Sequence, residues 1–342
     1  MLLLQEINSE IVHHSDKRVF ISSTGNKVTI TIDNLLHKIV LPLPPYLRIL
    51  GIIRLFRRLL RLDKSSIVIS KDHSAVIITY RGKIFCYDVT SKKLTVSGTL
   101  QHCRTVMHMS IATLAPKTII IGEYGNNTER FPVPIHLSVD NGKSWNVAME
   151  IPNIYHIHGV YNDPYTGHIW VATGDFAGEC FLYEFSDITF KNPKIHGDGS
   201  QTWRTVNLFF HEDKVVWIMD SQLCTNHLVT LNKATGEIEM TAVFPGPVWY
   251  IKALSDGKFL AQTTVEKGPG VHTNEAHVYL STDLETWDRI ASFPHDGLPL
   301  GVFKNAVIAF SNGLQSSNEF YLSAEAIKGM DGKSYKCSLV EK

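Results

Sequence analysis

The sequence predicts an all-β protein, a β-propeller built from four-stranded blades. Short apolar runs alternate with turn residues over almost the whole chain, and one layout of strands and turns recurs. Its period of about 50 residues is within the range of propeller blades. Six copies begin between residue 67 and the C-terminus, and residues 11–42 hold three further β runs. We expect seven blades, with six as the alternative, in a single domain over residues 1–342.

The clearest turn motif is Ser138-Val139-Asp140-Asn141-Gly142-Lys143-Ser144-Trp145, which reads S-x-D-x-G-x-x-W. Asp accepts hydrogen bonds from backbone N–H groups two residues on, Gly takes a positive φ without strain, and Trp covers the hairpin with an apolar face. Residues 198–203 and 281–287 are partial copies. Each copy predicts a hairpin at the end of its blade, as do residues 90–92 and 234–236.

Residues 46–62 interrupt the β rhythm and predict an inserted amphipathic helix after a Pro-rich entry. Four arginines in it fall at i, i+3, i+4 and i+7, so they share one helical face, and apolar residues cover most of the rest. No acidic residue offsets them before Asp63. This pattern is typical of a helix in the interface of an anionic membrane. Packing on the propeller, with the arginines in water, is the alternative. The predicted membrane-binding residues are Arg54, Arg57, Arg58 and Arg61.

Composition narrows the function classes. The formal net charge is zero, and no basic face or nucleic-acid-binding motif is apparent, so we expect no nucleic-acid partner. The five cysteines are widely spaced and form no C-x-x-C pair, which argues against a disulfide framework or a zinc site. The first residues do not resemble a secretory signal. We expect a cytoplasmic protein, with a peripheral association with the inner membrane as a possibility.

Acidic and amide side chains recur where the second strand of five successive units is expected to end. A ring of such groups at one mouth of a propeller suits a polyhydroxylated ligand, general acid–base catalysis or a cation, although turn capping is the simpler explanation for any one of them. The residues are Glu123 with Tyr124, Asp175, Asp220, Glu266 and Asn312.

His156 and His158 share a face of one predicted strand, so they suit proton transfer or metal binding, with His108 as the candidate third ligand. Hydrogen-bonded core histidines are the alternative. We assign no metal or other cofactor from the sequence. Arg104 and Arg204 occupy a repeated R-T-V, which predicts equivalent positions and bidentate binding of a substrate carboxylate. Trp249 and Tyr250 are a candidate sugar-stacking platform, or simply core.

These motifs make the chain resemble the sialidase-like propellers with Asp-box (BNR) repeats. Three segments, 122–125, 156–159 with 173–175, and 246–250, further resemble an uncharacterised prokaryotic branch of that superfamily. Sialidases of the family bind the substrate carboxylate with an arginine triad and use a Tyr nucleophile with a Glu partner and an Asp acid/base. The resemblance implies Arg104 and Arg204 as members of the triad.

Two functions are expected from these observations. The first is a carbohydrate-active protein that hydrolyses or transfers an acidic glycan or lipid-linked saccharide at the cytoplasmic membrane face. In it His156, His158, Asp175, Asp220 and Glu123 would be catalytic, and the substrate-binding residues would be Arg104, Arg204, Tyr124, Trp249, Tyr250, Glu266 and Asn312. The second is a non-catalytic propeller that binds a glycan or a protein as a membrane-associated scaffold. Whether the protein is an enzyme is left open.

Overall fold

The computed structural model describes residues 1–340, which form seven antiparallel sheets of four strands each. The chain is therefore an all-β, seven-bladed propeller, and the prediction of seven blades is confirmed. The first four blades consist of Ile11–Ser15, Val19–Thr24, Lys27–Ile32 and Leu35–Val40 (blade 1); Ser66–Ile69, Ala75–Tyr80, Lys83–Asp88 and Lys93–Thr99 (blade 2); Ile111–Ala115, Thr118–Gly122, Val133–Ser138 and Asn146–Ile151 (blade 3); and His156–Asn162, Ile169–Gly174, Cys180–Phe185 and Lys194–Gly199 (blade 4).

The last blade combines the two ends of the chain. Strand Leu2–Ile7 pairs antiparallel with Lys333–Leu339, with Leu4 opposite Cys337. This pairing covers a strand edge that would otherwise invite association with other chains. No local sequence pattern predicts this pairing, because the partner strands lie at opposite ends of the chain. The remaining blades are Phe209–Phe210, Lys214–Ile218, Asn226–Asn232 and Ile238–Phe244 (blade 5); Val248–Ala253, Phe259–Thr263, Glu275–Ser281 and Asp288–Pro294 (blade 6); and Val307–Phe310, Phe320–Glu325, Lys333–Leu339 and Leu2–Ile7 (blade 7).

Two compact units divide the chain. Unit 1 comprises residues 1–64, 222–226 and 241–340, and unit 2 comprises residues 65–221 and 227–240. Blades 3 and 4 share an apolar core in unit 2, which includes Ile135, Ile157 and Phe185. Blades 6 and 7 share a core in unit 1, which includes Leu260 and Phe320. Burial of these aliphatic and aromatic side chains is the main stabilising contribution within each unit.

Two of the three predicted motif turns have the same geometry. Asp140 accepts hydrogen bonds from the amides of Lys143 and Ser144, and the hydroxyl of Ser138 accepts one from the amide of Gly142. In the second turn, Asp283 accepts from the amides of residues 285 and 286, and Ser281 from residue 284. Leu284 replaces the glycine there and adopts φ = 65°. Both turns join the third and fourth strands of a blade.

The third predicted hairpin, at residues 198–203, is wrong. Strand Lys194–Gly199 is the fourth strand of its blade, and the short 3-10 helix Gln201–Trp203 follows it. Asp198 accepts a hydrogen bond from the amide of Ser200 in this turn. The hairpin of this blade lies earlier, between strands Cys180–Phe185 and Lys194–Gly199. The partial motif therefore marks a connection between blades.

The segment predicted as one helix over 46–62 forms two short helices, Pro45–Leu50 and Arg54–Leu59. Gly51 ends the first helix, and Ile53 takes extended backbone angles between the two. Glycine is a poor helix interior residue, which explains the break. A further short helix spans Leu300–Phe303, and a 3-10 helix spans His108–Ser110. Within residues 1–340, none of the helices has the length and apolar character that a membrane span requires.

The predicted exposure of the arginines is also wrong for three of the four. Arg54 pairs with Asp63 and Asp331, Arg57 pairs with Glu10, and Arg58 pairs with Asp296. Arg58 is almost fully buried and also donates to the carbonyl oxygen of Phe303. Apart from Asp63, their carboxylate partners come from distant parts of the sequence, so the absence of acidic residues within the helical segment was misleading. Only Arg61 is exposed.

Apolar side chains face solvent on this pair of helices. Ile49 and Ile52 are 68% and 75% exposed, and Tyr46 and Ile53 are also more than half exposed. The helical pair therefore turns its arginines toward the carboxylates of unit 1 and its isoleucines outward, the reverse of an ordinary surface helix. We call these four exposed side chains the apolar face.

Candidate functional site

The candidate site lies in unit 2, where blade 4 brings two histidines to one carboxylate. His156 and His158 are on the first strand, His156–Asn162, and Asp175 directly follows the second strand, Ile169–Gly174. Gly174 has φ = 144°, and a Cβ there would lie 2.7 Å from the sulfur of Cys180, so only glycine fits the turn that presents Asp175.

Both imidazoles contact the carboxylate of Asp175 through Nε2. The Nε2 of His158 lies 3.0 Å from Oδ1, and the Nε2 of His156 lies 3.4 Å from Oδ2. The two ring centroids are 4.8 Å apart. The prediction that these histidines share a face is confirmed. Their third partner is Asp175, whereas the sequence had pointed to His108.

The other ring nitrogen of each histidine faces a backbone carbonyl oxygen. The Nδ1 of His156 is 3.1 Å from the oxygen of Gly125, and the Nδ1 of His158 is 3.2 Å from the oxygen of Thr205. Gly125 approaches the chain closely, because a Cβ there would lie 2.4 Å from the carbonyl oxygen of His102. All four nitrogens of the two rings therefore face oxygen atoms.

Arg204 lies behind the carboxylate. Its Nη2 is 2.8 Å from Oδ1 of Asp175, and its Nε is 3.6 Å from Oδ2 of Asp220. Arg204 and Asp220 are both buried. Arg204 is therefore engaged by protein carboxylates, and its role as the anchor of a substrate carboxylate stays a prediction.

The surroundings set the ionisation of the site. Burial alone would raise the pKa of Asp175, but His156, His158 and Arg204 outweigh it and hold the pKa well below its ordinary range. Burial lowers the pKa of His158 to about 4, despite the hydrogen bond to Asp175. At neutral pH the site therefore presents an ionised carboxylate beside a neutral imidazole.

Aromatic rings border the site. Tyr124 packs against His156 at an interplanar angle of 36°, with ring centroids 4.0 Å apart, and Tyr155 lies 4.9 Å from the same ring. Tyr155 also meets Phe176 edge-on, and Phe176 is 46% exposed. Arg130 lies over both Tyr155 and Phe176 and pairs with Glu179. The edge of the site is therefore an accessible aromatic surface.

Glu123 has a different environment from the one its sequence position suggested. Its carboxylate is buried and accepts hydrogen bonds from the amides of Gln101 and His102 and from His136. Burial would raise the pKa of Glu123, but these donors outweigh it and lower the pKa. Glu123 ties residues 101 and 102 to its blade, and its catalytic role stays a prediction.

The two copies of the R-T-V motif, which begin at Arg104 and Arg204, have equivalent backbone positions, but their arginine side chains differ in exposure. Thr105 and Thr205 each donate from the hydroxyl to the carbonyl at the end of a second strand, that of Thr79 and that of Ile218. The side chain of Arg104, however, is exposed, in contrast to Arg204. Equivalent backbone thus carries one surface arginine and one buried arginine.

Four predicted ligand-binding residues lie in unit 1, and their role in ligand binding stays a prediction. Tyr250 packs on the core of blades 6 and 7, as the simpler interpretation expected. Asn312 follows the first strand of its blade, which corrects its assignment to a second strand, and it bonds through its backbone to His13 and Ser15. The other two, Trp249 and Glu266, are half-buried.

Several parts of the site had no sequence signal of their own. The carbonyl oxygens of Gly125 and Thr205 belong to no recognisable motif, because a backbone group is common to every residue. Tyr155 had one weak signal, its place directly before His156. Phe176 and Arg130 became relevant only through their contacts with Tyr155.

Comparison with known proteins supports the fold alone. No protein-family profile matches the sequence, and no curated protein matches it, so the resemblance to sialidase-like repeats has no support at the sequence level. Solved structures do resemble it in fold. A structure of YCF48 bound to a D1 peptide is similar with a TM-score of 0.57 and 10% identity, over 99% of this chain and 96% of that one.

Two further propellers are comparably similar. A chain of a mitotic checkpoint complex has a TM-score of 0.54 and 11% identity, over 100% of this chain and 94% of that one. The extracellular domain of a hybrid two-component system from B. thetaiotaomicron has a TM-score of 0.57 and 12% identity, over 100% of this chain and 40% of that one. At such identities the likeness extends to the propeller fold and not to function.

Proposed function

We propose that this propeller recognises an acidic glycan or lipid-linked saccharide at the site around Asp175, and that the protein also associates with a membrane surface. The observation that carries the proposal is the pairing of an ionised carboxylate with accessible aromatic rings. The carboxylate of Asp175 is partly exposed and accepts hydrogen bonds, which suits sugar hydroxyl groups. Arg130 covers one face each of Tyr155 and Phe176, and the remaining exposed ring surface, chiefly that of Phe176, is of the kind on which a sugar ring packs.

Glycan recognition is better supported than catalysis, in which two carboxylates would act as general acid and general base. Glycoside cleavage needs one carboxylic acid with a raised pKa to protonate the leaving group. Asp175 and Glu123, two of the predicted catalytic acids, instead have lowered pKa values. Hydrolysis or transfer is the second candidate function. Turnover of an acidic oligosaccharide that is abolished by Asp175→Asn would favour it over recognition alone.

A glycan-array screen followed by titration calorimetry tests the saccharide proposal. We expect Asp175→Asn to weaken binding of the best glycan at least about tenfold, because an ionised hydrogen bond is worth about 1.5–3 kcal/mol. The matched control is Glu184→Gln, which removes a carboxylate from the third strand of the same blade. This variant should bind the glycan as the wild type does. Equal affinity of the wild type and Asp175→Asn would contradict the proposal, as would an array without any bound glycan.

The membrane part of the proposal rests on the apolar face of the two short helices. Since Arg54, Arg57 and Arg58 are held in ion pairs, we replace the predicted arginine–headgroup contact with insertion of Ile49 and Ile52 into the interfacial region. We further propose that the membrane contacted is the cytoplasmic face, because the five cysteines are free thiols, as is usual in a reducing compartment.

Vesicle flotation tests this membrane contact. The wild type should float with phosphatidylcholine vesicles and with vesicles containing phosphatidylglycerol, with little loss at high salt, because the contact is apolar. Ile52→Glu should abolish flotation, whereas Arg61→Ala should reduce it only with the anionic vesicles. A wild-type protein that stays in the soluble fraction with both vesicles would rule out the contact.

A further inference from the structure

We propose that His156, His158 and Asp175 bind a divalent first-row transition metal ion. In residues 1–340 they form a group of three ligand side chains whose donor atoms all lie within 4.8 Å of one another. Two imidazoles and one carboxylate make a ligand set that suits Zn²⁺, Mn²⁺ or Fe²⁺ and leaves coordination positions open for a ligand.

The ring nitrogens give the first argument. A neutral imidazole carries one N–H and one lone pair, whereas a carbonyl or carboxylate oxygen only accepts. Each ring faces a carbonyl oxygen at Nδ1 and a carboxylate oxygen at Nε2. For His158, every neutral tautomer therefore leaves one nitrogen lone pair pointing at an oxygen lone pair. For His156, the tautomer that donates from Nδ1 to Gly125 leaves a buried Nε2 without a hydrogen-bond partner.

Two arrangements remove this conflict. Protonation of both rings would place two positive charges in buried rings whose centroids are 4.8 Å apart, which is costly. One metal ion between the Nε2 atoms and Asp175 satisfies both lone pairs at once. Each Nδ1–H then donates to its carbonyl, of Gly125 or of Thr205, which is the usual outer contact of a metal-bound histidine.

The distances give the second argument. Two ligand atoms bonded to one ion at about 2.1 Å lie about 3.0 Å apart at a right angle and about 3.4 Å apart at a tetrahedral angle. The Nε2 of His158 lies 3.0 Å from Oδ1 of Asp175 and the Nε2 of His156 lies 3.4 Å from Oδ2, so each separation fits an ion that both carboxylate oxygens bind. Arg204, 2.8 Å from Oδ1, would then orient the liganding carboxylate.

A second group in blade 4 provides a natural control. His168 and His196 also surround one carboxylate, that of Glu184, at 2.7 Å and 2.8 Å. Each of these rings meets Glu184 through one nitrogen, so a single N–H on each ring satisfies the contact. The Glu184 group therefore needs no metal ion, although it too consists of two histidines and one carboxylate.

A bound ion would also explain how a site with a negative carboxylate accepts an acidic glycan, since the ion offers a positive charge to the carboxylate of the sugar. This extension depends on the function proposed above. Metal binding itself does not, because its test contains no glycan.

Titration calorimetry of the full chain, stripped with EDTA, tests the proposal with ZnCl₂ and MnCl₂ alone. We expect one ion per chain for at least one of these metals. Asp175→Asn and His158→Gln should each weaken binding about 100-fold or more, and the control Glu184→Gln should leave it unchanged. Circular dichroism shows whether each variant is folded.

A measurement on the wild type guards against a variant that fails to fold. Co²⁺ added to the stripped protein should give the visible absorption bands of a nitrogen-and-oxygen site, and Zn²⁺ should displace them. Absence of these bands together with absence of calorimetric binding would overturn the proposal. Equal loss of binding in Asp175→Asn and Glu184→Gln would overturn it as well. Metal binding without any glycan binding would leave this proposal standing and refute the glycan proposal.

Discussion

Blade 4 contains two groups of two histidines around one carboxylate, and they differ in what the remaining ring nitrogens face. Around Glu184, each imidazole meets the carboxylate through one nitrogen. Around Asp175, each imidazole is also held at its second nitrogen by a backbone carbonyl. Composition alone does not separate the groups. The carbonyls of Gly125 and Thr205 make one of them a candidate ligand site and leave the other a structural ion pair.

The arginines of the two short helices also pair with carboxylates, but an arginine, unlike a histidine, stays protonated at every relevant pH. Arg54, Arg57 and Arg58 bind carboxylates that are fixed by the fold, so the cluster has no adjustable charge. Arg204 has the same chemistry, but one of its partners, Asp175, also contacts two imidazoles. We therefore expect the helical cluster to govern stability and the Asp175 group to govern binding.

The largest effect on stability should come from Arg58→Ala. This change leaves Asp296 without its buried partner and removes a donor to the carbonyl of Phe303, so the free energy of unfolding should fall by about 3–5 kcal/mol. Urea denaturation measures it. The exposed Arg61→Ala should change the value by less than about 0.5 kcal/mol. Similar values for the two variants would show that the helical cluster is not a stabilising element.

Gly125→Ala should have the next largest effect and sharpens the comparison directly. The new Cβ would collide with the carbonyl oxygen of His102 and shift the carbonyl that holds His156. We expect a loss of about 10–100-fold in metal affinity, as for other outer contacts of metal-bound histidines. Gly301→Ala, where a Cβ meets nothing within 4 Å, is the control. An unchanged metal affinity in Gly125→Ala would mean that the carbonyl does not orient the imidazole.

Glu184→Gln should have the smallest effect, and it should depend on pH. Burial would raise the pKa of Glu184, but His196 and His168 outweigh it and lower the pKa to about 2. Because the folded pKa lies below the unfolded value, this stabilisation is complete above about pH 4.5 and is lost as the pH falls toward 2. The carboxylate is partly exposed to solvent, so screening limits the effect to about 1 kcal/mol.

Urea denaturation of the wild type and Glu184→Gln between pH 3 and pH 7 measures this dependence. The difference in the free energy of unfolding should shrink as the pH is lowered. A difference that is constant over this range, or that grows toward acid pH, would contradict the assignment of Glu184 as an ionised structural partner.

The sequence predicts the parts of this molecule that depend on local patterns. Strand alternation and turn chemistry identified the blades and the turns at Asp140 and Asp283, and a two-residue spacing placed His156 and His158 on one face. Asp175 was found because acidic residues recur at strand ends. These features are local, so the residues that determine them are neighbours in the chain.

The features that the sequence did not predict depend on contacts between residues that are distant in the chain. Arg54 and Arg58 lie 277 and 238 residues from Asp331 and Asp296, and no local pattern indicates that such partners exist. The same holds for the pairing of the N-terminal and C-terminal strands and for the carbonyl of Thr205 at His158. The sequence pattern therefore predicted that Arg54, Arg57 and Arg58 face solvent or a membrane, whereas they face carboxylates of unit 1.

Crystals of the wild-type chain soaked with ZnCl₂, with diffraction data collected on both sides of the zinc absorption edge, test the central claim most directly. We predict an anomalous peak about 2.1 Å from the Nε2 atoms of His156 and His158 and from a carboxylate oxygen of Asp175. A peak at Glu184 in place of this site, or no peak among these three side chains, would contradict the account.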